Sequence, residues 1–155
     1  MSEQAELLQK LKNKAVDLLA RREYAIHELR DKLLRNLDED EQVLVDDVIE
    51  QMIEAGYLCE QRYADMLLRS RVMKGYGAAR VRQELAVQKV DSEAVMLAFE
   101  RDDTDWFELA KHTRQRKFGD WDRAFDLKQK AKQQRYLYSR GFSSDQVNYA
   151  FELDE

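Results

Sequence analysis

Arginine and lysine crowd one stretch of this 155-residue chain, Ser70-Arg71-Val72-Met73-Lys74-Gly75-Tyr76-Gly77-Ala78-Ala79-Arg80-Val81-Arg82-Gln83-Glu84-Leu85. Arg71, Lys74, Arg80 and Arg82 flank Gly75-Tyr76-Gly77, and Arg69 lies just upstream. A guanidinium is a planar fork of N–H donors that matches phosphate or carboxylate, and an ammonium is a compact point charge. The chemistry within reach is recognition of anions. Two glycines either side of a tyrosine, then Val81 and Leu85 at i, i+4, read as a helix end, a tight turn and the next helix start. Glycine takes positive φ without a Cβ penalty, so the chain can reverse there. A plain helix–helix corner with solvated charges would use the same residues. Arg114, Arg116 and Lys117 make a second basic corner, and Lys128, Lys130, Lys132 and Arg135 follow on the next helix.

Other chemistry finds little support. There is no Gly-x-x-x-x-Gly-Lys phosphate loop and no Rossmann fingerprint. His27, His112 and Cys59 do not make a metal site. His27 reads as a helix-surface residue, and His112 sits in a basic helix where it can add weakly to an anion site. The acid pairs Asp46-Asp47 and Asp102-Asp103 have no positioned partner and suit helix ends or a linker. Ser70 stands at helical spacing from Tyr63 and Leu67 and reads as a packing residue. Trp106, Trp121, Phe118 and Tyr136 read as core or corner residues. The expectation is a protein that is not an enzyme and uses no metal or cofactor.

Composition supports an all-helical chain: 44% hydrophobic, 37% charged, five glycines and no proline. No run approaches the roughly 18 apolar residues of a membrane span. Met1-Ser2-Glu3-Gln4 lacks the pattern of a signal peptide. One cysteine cannot form an internal disulfide, so a reducing cytoplasm is expected. The net charge of −5 conceals blocks. Residues 38–60 carry nine acids and no Lys or Arg, 61–90 carry seven Lys/Arg against two acids, and 91–108 carry one Arg against seven acids. Residues 109–140 carry ten Lys/Arg against three acids. Local potential, not overall charge, decides what binds where. The alternative is that acidic and basic helices neutralise one another across the fold.

Nine helices must position these residues. Periodicity, caps and breakers place them over 6–22, 25–36, 38–55, 60–73, 78–88, from an Asp91-Ser92 cap to 100, 106–117, 127–139, and after a Ser143-Ser144-Asp145 cap. Predicted inward positions include Leu11 and Ala15, then Leu29 and Leu33, then Val45, Val48, Ile49, Met52 and Ile53. Glu28 and Lys32 are spaced to pair at i, i+4. Residues 118–126 form a longer connection.

The pattern repeats. Residues 85–95 align without a gap with 137–147 at an offset of 52, and Tyr24–Leu33 lies the same distance before Tyr76–Leu85. Three helices per unit and a period of about fifty residues imply stacked repeats, here 1–57, 58–102 and 103–155. Such units are expected not to bury cores of their own, so the prediction is an all-α, elongated, curved array with basic corners along one edge. That surface suits an extended polyanion or an acidic groove.

Gly56-Tyr57-Leu58, Arg62-Tyr63-Ala64, Ser70-Arg71, Lys74-Gly75-Tyr76-Gly77 and Arg80-Val81-Arg82-Gln83-Glu84-Leu85 resemble the signature of the RecX family. Leu19-Ala20-Arg21-Arg22-Glu23-Tyr24-Ala25 with Glu28-Leu29 and Lys32-Leu33 is similar to that family's first repeat, and Arg135-Tyr136-Leu137 with Arg140-Gly141-Phe142 matches near the end. The acidic pair that usually follows Gly-Tyr-Leu is here Cys59-Glu60, and Ala78 stands where a proline often follows Gly-Tyr-Gly. The latter loosens the turn by about 0.5–1 kcal/mol through unfolded-state entropy. The resemblance implies three tandem three-helix repeats and a negative regulator of the RecA recombinase. Such proteins bind the RecA–single-stranded DNA filament in its groove or at its end and limit its extension. They suppress ATP hydrolysis, strand exchange and stimulated repressor cleavage, and bind DNA, single-stranded and by extension double-stranded. The expectation is a cytoplasmic monomer with no membrane partner, whose twelve cations named above contact RecA or DNA while Gly75, Tyr76 and Gly77 shape the turn. The alternative is a sequence-independent DNA-binding module without RecA contact.

Overall fold

The computed structural model describes residues 2–121 and 127–153. The part of the expected 118–126 connection that falls on 122–126 lies outside the described residues. Nine α-helices occur among the described residues: α1 (Glu3–Arg21), α2 (Ile26–Leu34), α3 (Glu39–Glu54), α4 (Glu60–Met73), α5 (Ala78–Val87), α6 (Ser92–Arg101), α7 (Trp106–Phe118), α8 (Leu127–Ser139) and α9 (Ser144–Tyr149). The chain forms two compact units, Met1–Met66 with Leu85–Ala98, and Leu67–Glu84 with Phe99–Glu155.

In the first unit α1, α2 and α3 close over Leu11, Ala15, Leu29, Leu33, Val45, Val48, Ile49 and Met52, joined by Tyr24 and Leu58. Asp38 starts α3 with a capping box: its side chain accepts from the Glu41 N–H, and Glu41 accepts from the Asp38 N–H. Ala25 offers α2 no side-chain cap. Glu60 supplies one from α4, accepting from the Ile26 N–H at 3.3 Å and, through its other oxygen, from the Asp91 N–H at 3.4 Å. Arg62 binds the carbonyls of Gly56 and Tyr57 and the Glu23 carboxylate. Two expectations are corrected here. Ile53 is exposed, because the buried stripe of α3 ends at Met52. Glu28 pairs with Arg22 by two bonds of 3.0 and 2.9 Å, not with Lys32, since the Arg22 fork makes both contacts at once.

In the second unit α7, α8 and α9 bury Ala110, Leu137, Phe142, Val147, Ala150 and Phe151, with Trp121 packed edge-on against Phe151. Asp105 caps α7 by accepting from the Phe107 and Glu108 N–H groups. These clusters correct the expectation that no unit closes a core: three helices that all pack on one another enclose their own apolar stripes.

The predicted repeat is visible in the backbone. α5 ends with the Val90 N–H on the Leu85 carbonyl and the Lys89 N–H on the Ala86 carbonyl. α8 ends with the Phe142 N–H on Leu137 and the Gly141 N–H on Tyr138. Lys89 and Gly141, which the offset of 52 aligns, both take positive φ, 53° and 98°. This is one helix-ending motif used twice.

Arg114 ties the second unit together from inside. It is 2% exposed. Its Nε donates to the Ala150 carbonyl at 2.8 Å, and Nη1 donates to the Gly119 carbonyl at 3.1 Å and Gln133 Oε1 at 3.3 Å. Arg114→Lys keeps the charge but loses the fork, so it is expected to cost about 1–3 kcal/mol of stability, measured by urea unfolding. An unchanged urea midpoint would show that these bonds contribute nothing.

Candidate interface at the basic corner

α4 ends where the sequence predicts. The Tyr76 N–H bonds the Arg71 carbonyl at 2.9 Å, the Gly75 N–H bonds Val72 at 3.0 Å, and Gly75 sits at φ 81°. Gly77 serves the corner differently. Its φ is not positive, and a Cβ there would lie 2.3 Å from the Gly141 carbonyl oxygen. The missing side chain lets two stretches of backbone meet: the Gly77 N–H donates to the Arg140 carbonyl at 2.8 Å and the Ala79 N–H to Gly141 at 3.2 Å. Arg140 reaches back across this contact. Its Nε donates to the Gly75 carbonyl at 3.3 Å, its Nη2 donates to the Lys74 carbonyl, and its guanidinium lies 3.7 Å from the centre of the Tyr76 ring. Arg80 lies 4.8 Å from the same ring.

The predicted cations separate by what they touch. Arg71 makes a two-pronged pair with Glu84 at 2.7 and 2.9 Å and also donates to Ser70 Oγ. Arg80 approaches the same carboxylate at 3.4 Å. The hydrogen bond from Arg71 holds the Glu84 carboxyl below the usual carboxylate range; burial opposes this, and the charges of Arg71 and Arg80 add to it. Arg114 is buried, and desolvation pushes its guanidinium below its ordinary range against the pull of Asp120. The expectation that Arg114 faces a partner meets this finding directly, since its fork is spent on Ala150, Gly119 and Gln133. Arg69, Lys74, Arg82, Arg116, Lys117, Lys128, Lys132 and Arg135 are exposed, and Lys130 is half-buried. Arg82 lies 4.0 Å over the Phe99 ring.

Three of the exposed cations share one cleft of about 490 Å³. Lys74 comes from the end of α4, and Arg116 and Lys117 from the last turn of α7; His112, Tyr136 and Arg140 also line it. Val72, Leu109 and Thr113 contribute, and Met73, 81% exposed, completes the wall. Among the described residues Arg69, Arg82, Lys128, Lys130, Lys132 and Arg135 lie outside this lining. Sequence reading did not single out Arg140 or Thr113. The only hint of Arg140 was its place in the Arg140-Gly141-Phe142 motif.

These features define a tandem three-helix-repeat protein with a cleft lined by basic side chains. Sequence comparison carries the assignment further. Descriptions of the second and third three-helix domains of RecX match residues 60–98 and 103–151. The regulatory protein RecX of Vibrio vulnificus (strain CMCP6) is 40% identical over 139 residues, 90% of this chain and 89% of its own. That of Vibrio parahaemolyticus serotype O3:K6 is 38% identical over 145 residues, 93% and 91% of the two chains. Crystal structures of RecX from Lactobacillus salivarius (TM-score 0.72, 20% identity, 94% and 95% of the chains) and of a second regulatory protein RecX (0.75, 18%, 96% and 78%) are similar in fold. The chain belongs to the RecX family. Among the described residues no helix is long and apolar enough to cross a membrane.

Two outcomes are expected at this corner. Gly77→Ala forces its Cβ against the Gly141 carbonyl and should cost about 1–3 kcal/mol, read as a lower urea midpoint. Because the folded-state pKa of Glu84 is depressed, its stabilisation is complete above the unfolded value of about 4.3 and is lost as pH falls through the folded value. Glu84→Gln should therefore lower the urea midpoint at pH 7, with the gap to the parent chain closing below about pH 4. A gap independent of pH would contradict the ion pair's contribution.

Proposed function

We propose that this chain is a non-enzymatic negative regulator of the RecA recombinase. It binds the RecA–single-stranded DNA filament in its groove or at its end, as a monomer, and limits filament extension. ATP hydrolysis, strand exchange and stimulated repressor cleavage fall as a consequence. Membership of the RecX family along 90% of the chain is the observation that carries this reading. The repeats, taken as 1–57, 58–102 and 103–155, supply reach. The contact residues are the exposed cations Arg69, Lys74, Arg82, Arg116, Lys117, Lys128, Lys132 and Arg135, with Lys130 beside them. Arg71, Arg80 and Arg114 act inside the fold through Glu84, Tyr76 and the Ala150 carbonyl. An extended anionic partner suits this set because each neutralised phosphate releases counterions, and a guanidinium serves phosphate and carboxylate alike.

The test is a titration of the protein into preformed RecA filaments on single-stranded DNA at sub-stoichiometric ratio, following ATP hydrolysis. Strong inhibition at ratios far below one per RecA subunit is expected. Inhibition that needs enough protein to cover the strand, and that excess single strand relieves, would replace this reading with a DNA-binding module that never touches RecA.

A further inference from the structure

α3 has two faces, and the fold buries one of them. Val45, Val48, Ile49 and Met52 turn inward, while Glu39, Val43, Asp46, Glu50 and Ile53 form a second, exposed stripe. Their steps of four, three, four and three residues are the seam spacing by which one helix takes another along its length. Val43 is 67% exposed and Ile53 44%, and Tyr57 is exposed just past the helix end. Beside the stripe a groove of about 580 Å³ opens between α2 and α3, lined by Arg30, Leu34 and Gln42 with Glu39, Val43 and Asp46. The charges on this face work against the helix that carries them. Asp46 and Glu50, and again Glu50 and Glu54, are like charges at i, i+4. Glu54 stands in a last turn that has no basic residue, where the helix dipole is already negative. Arg30 takes Asp46 at 3.2 Å. Asp47, Glu50 and Glu54 are exposed and make no ion pair among the described residues. Helix stability gives no reason for this arrangement, whereas cations brought by a partner would relieve it.

We propose that the outer face of α3 docks a lysine- or arginine-rich amphipathic helix of a protein partner. The apolar residues of that helix pack on Val43 and Ile53, and its cations meet Asp47, Glu50 and Glu54. Charge decides the occupant. Residues 38–60 hold nine acids and no Lys or Arg, so this face repels nucleic-acid phosphate. An uncharged helix would leave the three carboxylates unrelieved, and a cationic one is electrostatically complementary. The 16 residues of α3 span about 24 Å, which sets the length of partner helix that can lie along the seam. On the reading given under Proposed function, the partner helix belongs to the RecA protein, and the strand is left to the basic surface. A probe without RecA lets the two fail separately.

The first probe is a fluorescein-labelled helical peptide with leucine and lysine along one seam, titrated by anisotropy against the full chain with no RecA present. Asp47→Lys with Glu54→Lys, and separately Val43→Ala with Ile53→Ala, should each weaken binding about tenfold. A peptide with glutamate in place of lysine should not bind. All four side chains are exposed, so the urea midpoint should hold or rise in both variants. The second probe is the preformed RecA filament. Both variants should need about ten times more protein to halve ATP hydrolysis, while their affinity for a labelled oligothymidylate holds or tightens. Either variant binding the lysine peptide as tightly as the parent would overturn the proposal. So would filament inhibition at the parent's concentrations, or a parallel fall in strand affinity. Self-association of the parent in sedimentation, abolished by the charge-reversed pair, would overturn it too, since the occupant would then be a second copy. A parent that binds the peptide and leaves the filament active would remove the reading under Proposed function and keep the docking face.

Discussion

The 2.8 Å bond from the Gly77 N–H to the Arg140 carbonyl holds the basic corner in shape. It exists because residue 77 has no side chain to keep the two backbones apart. Arg140 then closes the contact from its other end, with its guanidinium on the carbonyls of Lys74 and Gly75. Those carbonyls belong to the end of α4, where backbone acceptors lack intrahelical partners and the helix dipole is negative. One arginine thus satisfies orphaned acceptors, complements the dipole and packs on Tyr76. The Lys74 side chain is carried by backbone fixed in this way, and so is its place beside Arg116 and Lys117.

Two aligned pairs of cations divide along chemical lines. The same step along the chain separates Arg71 from Arg114 and Lys74 from Lys117. Both arginines of this series are turned to internal work, one on Glu84 and the other on main-chain carbonyls. Both lysines are exposed. A rigid fork with several fixed donors suits a site where each N–H has a partner waiting, whereas a flexible ammonium is readily left hydrated. Arg69, Arg82, Arg116 and Arg135 remain outside, and Arg116 with Lys74 and Lys117 gives the cleft its charge.

Helices were legible because they depend on nearest neighbours along the chain. Apolar spacing and end signals place α4 and α8 to the residue, and aligned helix-ending motifs at Leu85–Val90 and Leu137–Phe142 confirm the repeat. What escaped depends on distant partners. Glu28 could satisfy either Lys32 or Arg22, and only the folded chain brings Arg22 into two-pronged reach. Arg114 has the same sequence surroundings as an exposed arginine, and its burial follows from the Ala150 carbonyl, 36 residues away. Arg140 is 65 residues from Gly75, so its clasp leaves no local trace. The expected role of Gly77 had the right residue and the wrong reason: close approach, not positive φ, is what requires glycine there.

A chain with net charge −5 can still present a basic cleft because its acids lie elsewhere, several of them engaged within the fold. Asp38 and Asp105 cap helices, Glu60 completes the start of α2, and Glu23, Glu28 and Glu84 are each held by arginine. No carboxylate is found among the described residues lining the cleft. At physiological salt, charges separated by more than about 8 Å are largely screened. An anion approaching this cleft therefore meets the field of Lys74, Arg116, Lys117 and Arg140, and acids beyond that range do little to weaken it.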